Sequence, residues 1–160
     1  MLHNDQAIER DTINNKGNVM KVAYNTCYGG FGLSNIALTE FAKKKGIDLT
    51  WYKQTGYRHE GNESYKRLSG VPSSGIISSF PLTKDCGTVI TELPNDVFYY
   101  PDFHDDNRCD PDLIEVIERL GKKAHGYLGS LAIKEIPDGA SFEITEYDGW
   151  EDVVPPRHSW

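Results

Sequence analysis

Residues 26–34 read Thr-Cys-Tyr-Gly-Gly-Phe-Gly-Leu-Ser, and no other stretch limits the fold as much. The β-prone run KVAYNT (21–26) enters this segment, and an apolar-periodic run over 35–45 leaves it. Gly29, Gly30 and Gly32 favour neither strand nor helix, so the chain must turn here. Ser34 is a good N-cap for the following helix, Lys43, Lys44 and Lys45 suit its negative end, and Gly46 stops it. The result is a strand–loop–helix unit. Its loop is neither a Walker A sequence nor a clean G-x-G-x-x-G. Bare backbone N–H groups ahead of a helix N-terminus nevertheless suit a phosphate or carboxylate, and Tyr28 and Phe31 offer faces for a ring. Thr26, Cys27, Tyr28, Gly29, Gly30, Phe31, Gly32 and Ser34 are therefore expected to bind a ligand.

The rest of the chain predicts an α+β protein: a small mixed β-sheet with two main helices on one face and a C-terminal β-hairpin. Residues 1–19 are polar and aperiodic and read as an extension, with a single domain over 20–160. Residues 47–53, 88–91 and 96–100 read as strands, and about 54–87 as a long Gly-, Ser- and Tyr-rich excursion. Asp110, Pro111 and Asp112 open a second helix, with Leu113, Ile114, Ile117 and Leu120 as its buried stripe and Gly121 as its stop. Residues 131–136 and 141–147 flank Pro137-Asp138-Gly139 and read as the hairpin.

The formal charge of −7, from 24 acids against 17 bases, excludes a general nucleic-acid backbone binder. A small phosphorylated ligand remains compatible with it, because a local pocket can be positive on an acidic protein. Cys27, Cys86 and Cys109 form no C-x-x-C pair, and no apolar run reaches membrane-spanning length. Reduced thiols in a cytoplasm are the expectation, with no membrane partner.

Four further constellations stand out. The acidic run Asp102-Phe103-His104-Asp105-Asp106 lacks cation-loop spacing and reads as a solvated loop, so no metal is expected. Arg108, one base among acids, suits bidentate capture of an anion. Arg58, within an aromatic and basic stretch of the excursion, adds a second candidate charge. Cys27 is a candidate nucleophile without a histidine signature, and Trp160 suits packing or a subunit interface.

The segments NTCYGGFGLS, DPDLIEVIERLG and EYDG, with the terminal HSW, resemble a family of small bacteriophage and prophage proteins. The resemblance covers residues 20–53 and 109–160. It implies a counter-defence or host-takeover role within the host bacterium, and it carries over no catalytic residue. Joined to the glycine loop, it suggests a homo-oligomer that sequesters a cyclic or ADP-ribose-type nucleotide signal without catalysis or cofactor. The alternatives are an acidic inhibitor or nucleic-acid mimic directed at a host enzyme, and a hydrolase or transferase dependent on Cys27.

Overall fold

The computed structural model describes residues 18–75 and 78–156. The extension up to residue 17 and the terminal Arg157, His158 and Trp160 lie outside them. The described residues form an α+β fold whose strands belong to three antiparallel sheets. Strand β1 (Val19–Asn25) pairs with β6 (Leu131–Pro137) along its whole length, from Val19 opposite Pro137 to Asn25 opposite Leu131. Helices α1 (Asn35–Lys44) and α2 (Pro111–Leu120) pack against this ribbon. Ala37 and Phe41 from α1, with Leu113, Ile114, Val116 and Ile117 from α2, bury with Ala23 and Leu131 in one core.

The excursion is more ordered than its composition suggests. Strands β2 (Thr50–Gly56), β3 (Ser64–Arg67), β4 (Ser79–Leu82) and β5 (Val89–Ile90) form a four-stranded sheet in the order β4-β2-β3-β5. It has its own core of Tyr52, Tyr65, Leu82 and Val97. Where a strand was expected over 96–100, Asn95–Val97 form a 3₁₀ turn and only a single bridge joins Phe98 to Leu82.

The C-terminal hairpin forms one strand later than Pro137-Asp138-Gly139 suggests. Strand β6 is already engaged by β1, so β7 (Glu143–Tyr147) pairs instead with β8 (Trp150–Val154). Asp148 and Gly149 make the two-residue connection with φ of 51° and 89°. Two positive φ values in succession are the mark of a type I′ turn, for which Asp-Gly is a preferred sequence.

The helix ends are tied together by charge. Lys45 places its ammonium 2.8 Å from Asp110 and 2.8 Å from Asp112, at the N-terminus of α2. Burial tends to raise the Asp110 carboxyl. The Lys45 ammonium and the backbone amides of Asp112 and Leu113 outweigh it and hold the carboxyl below the usual range. A depressed folded pKa gives stability that is complete above the unfolded value, about 3.9, and is lost as pH falls through the folded one. Denaturant midpoints should therefore fall on acidification below about pH 4. The Asp110→Asn variant should show a shallower fall, and an unchanged slope would remove Asp110 from the effect.

Candidate functional site

The glycine loop leaves β1 and is clamped from below by a buried polar knot. Arg108 and Glu151 are buried, and the guanidinium meets the carboxylate through two hydrogen bonds of 2.8 Å each. Arg108 also donates to the backbone carbonyls of Phe103 and Ala23, and its guanidinium lies 3.6 Å from the centre of the Phe31 ring. Glu151 accepts the Asn25 N–H at 2.9 Å. The buried Asn25 side chain donates to the carbonyls of Cys27 at 2.6 Å and Gly149 at 2.8 Å, and accepts the Ser130 N–H at 2.9 Å. Among the described residues every buried side-chain nitrogen and oxygen has a partner. Such a network fixes the loop as a rigid unit.

Arg108 thus corrects one expectation. It is the bidentate partner of Glu151 inside the protein, and its Nε, Nη1 and Nη2 all donate to internal acceptors. Arg58 stands apart on the four-stranded sheet, paired with Glu63, and lines a different cavity from the loop.

The helix N-terminus is also occupied. Ser34 Oγ accepts the Ala37 N–H at 3.1 Å, and Ser74 Oγ accepts the Asn35 N–H at 2.8 Å. Asn35 in turn donates to the Pro72 carbonyl, so the 72–75 segment docks on the cap. The first-turn donors expected to hold an anion are therefore partly consumed by hydroxyls.

The glycines have a packing role. A Cβ on Gly29 would lie 1.7 Å from the Leu128 carbonyl oxygen, and one on Gly149 would lie 2.5 Å from that of Tyr28. Backbone meets backbone there without side chains between. Gly30 turns at φ 83° into open space, and Gly32 also has room around it. Thr26 donates through its hydroxyl and its N–H to the Ser130 carbonyl. The Cys27 thiol donates to the Leu128 carbonyl at 2.8 Å. No histidine hydrogen-bonds to it among the described residues.

Two clefts flank the loop. The first, about 370 Å³, is bounded by Phe31, Gly32, Tyr99, Tyr100, Phe103 and His104. Phe31 and Phe41 both meet Phe103 at ring separations of 5.6 and 5.4 Å, so its inner wall is aromatic. Tyr100 is 85% exposed and stacks on Phe98, and His104 stands at the rim hydrogen-bonded to Asp102. That bond and the His104 backbone N–H hold the Asp102 carboxyl below its usual range. The second cleft, about 620 Å³, lies between β1 and the β7–β8 hairpin, beside Tyr28 and Trp150. A larger cavity of about 670 Å³ between the start of β1 and α2 is lined by no aromatic ring among the described residues. Its Lys21 and Glu118 pair with each other at 2.8 Å.

The acidic run 102–110 disperses its carboxylates. Asp102 holds His104, Asp110 caps α2 by accepting the Asp112 N–H, and Asp105 and Asp106 start a 3₁₀ turn. Among the described residues no three metal-ligating side chains converge, and no helix is long and apolar enough to cross a membrane.

No family model, curated protein or solved structure matches this chain. The residues that sequence reading left out of the site are Tyr99, Tyr100, Phe103 and His104 on one wall, and Asn25 and Glu151 beneath. The aromatic spacing in Phe98-Tyr99-Tyr100 was a usable signal for the wall. Asn25 and Glu151 gave none until their distant partners were placed.

Proposed function

We propose that the protein binds a phosphorylated nucleotide without catalysis, with the base in the cleft beside Phe31 and the phosphate at its His104 rim. The supporting observation is that cleft itself. Its volume of about 370 Å³ falls within the usual range for small-molecule sites, and its wall is aromatic with a few polar groups at the edge. The Gly32 N–H has no acceptor among the described residues and adds a donor at the opening. With Arg108 and part of the α1 N-terminus committed internally, the phosphate contributes less than the ring. A nucleotide is thus held mainly by stacking. The resemblance to small phage proteins supplies the setting, in which sequestering a nucleotide signal blunts a host defence.

Tyr100 and His104 are strongly exposed, so replacing either leaves the fold intact. Calorimetric titration with ADP-ribose and with a cyclic dinucleotide should show binding of one of them by the unaltered protein. Tyr100→Ala and His104→Ala should each weaken it at least about tenfold, or about 1.4 kcal/mol, with thermal midpoints unchanged. Full affinity in both variants would move the site away from this cleft. Heat-silent titrations with both probes would remove the nucleotide.

A further inference from the structure

We propose that the second cleft, between β1 and the β7–β8 hairpin, docks a basic segment of a partner protein, seating an arginine or lysine side chain against the rings of Tyr28, Tyr147 and Trp150. Three large aromatics stand open at one place: Tyr28 is 64% exposed, Tyr147 79% and Trp150 44%. Tyr28 meets Trp150 edge to face at 5.3 Å, while Tyr147 and Trp150 face each other across the hairpin register. Tyr24 and Thr26 complete the β1 wall. Trp and Tyr dominate the energetically decisive centres of protein interfaces, where rigid rings give contact area at little entropic cost.

Charge selects the partner. Residues 143–152 contain five acids, Glu143, Glu146, Asp148, Glu151 and Asp152, and no base. Glu151 is neutralised by Arg108. Glu146 and Asp152 line the cleft, each accepting one backbone N–H, from Gly149 and Val153 respectively. Among the described residues Lys134 is the cation that approaches, 3.6 Å from Asp152, and it spends a donor on the Val153 carbonyl. One opposing cation does not balance two carboxylates with further acids close by in sequence. Aromatic faces attract cations as well, most strongly when a guanidinium stacks on them. An anionic ligand would be repelled by the same groups.

The cleft is also preorganised. The type I′ turn and the Asn25 bond to the Gly149 carbonyl hold the hairpin against β1, so little ordering remains to oppose binding. It shares no lining residue with the cleft beside Phe31, and the inference stands independently of the nucleotide reading.

The test is fluorescence anisotropy with a labelled arginine–glycine peptide and a glutamate–glycine counterpart. The basic peptide should bind and the acidic one should not. Raising salt from about 50 to about 300 mM should weaken binding at least about tenfold. Tyr147→Ala should weaken it by a similar factor, as should the Glu146→Gln, Asp152→Asn double variant, which retains both backbone acceptors. Tyr100→Ala should leave it unchanged. Three results would each overturn the proposal: equal binding of the acidic peptide or none of the basic one, unchanged affinity in both hairpin variants, or spermidine binding as tightly as the peptide. The last would make this a small-polycation site.

Discussion

Glu151→Ala should lower the unfolding free energy by about 3–5 kcal/mol, the cost of leaving a buried charge without its counterion. The carboxylate lost is both partners' worth of one arginine fork, and it is also the acceptor of the Asn25 N–H. Arg108 would then remain buried with two donors unmet, against the face of Phe31. Combining Glu151→Ala with Arg108→Met, whose single variant completes the set, would remove the charge problem but strand the Asn25 N–H and the Ala23 and Phe103 carbonyls. The double variant should therefore fall between the wild type and Glu151→Ala, giving a coupling energy of about 1–3 kcal/mol in a double-mutant cycle. Denaturant unfolding of the four proteins measures it. A single variant within about 1 kcal/mol of wild type would mean that the knot does not hold the loop.

Gly29→Ala should cost about 3 kcal/mol or more, while Gly32→Ala should cost under about 1 kcal/mol. The two differ by one methyl group in the same loop. At Gly29 that methyl would lie 1.7 Å from the Leu128 carbonyl oxygen and 2.4 Å from its carbon, both backbone atoms. Neither can yield without moving the chain, and the Cys27 thiol would lose its bond to the same oxygen. At Gly32 nothing among the described residues stands within 4 Å. Thermal unfolding of both variants separates the readings. Equal and small effects would show that the packing of the 126–130 segment does not require a glycine at 29. Equal and large effects would show that the loop tolerates no side chain anywhere.

The strand–loop–helix unit was legible because each signal is local. Ser34 does cap α1, the lysines do lie at its end, and Asp110 with Pro111 does open α2. The α2 stripe was readable for the same reason at Leu113, Ile114 and Ile117, with Val116 added to the buried set and Leu120 only partly buried. Pairing was not legible where two strands competed for one neighbour. Pro137-Asp138-Gly139 is a sound turn, yet β6 had a longer partner in β1, and Asp148-Gly149 carried the stronger two-residue hairpin signal. The excursion was misread because β3 and β4 have four residues each, too few to display a period of two, and Pro81 interrupts β4. Its core comes from Tyr52, Tyr65, Leu82 and Val97, gathered from far apart in the chain. The site followed the same division. The loop was visible, but the partner of Arg108 lies 43 residues away in a hairpin strand. In β8 Glu151 and Val153 are both buried, an acid and an apolar residue side by side on the inward face, and only the placement of Arg108 explains the acid.

The claim that the cleft beside Phe31 takes a nucleotide is tested most directly by a nitrogen-15 NMR titration with ADP-ribose and, separately, a cyclic dinucleotide. Binding should move the amide signals of Gly32, Tyr99, Tyr100, Phe103 and His104 and leave those of the β7–β8 hairpin in place. Spectra unchanged by either compound, or shifts confined to the hairpin, would contradict it.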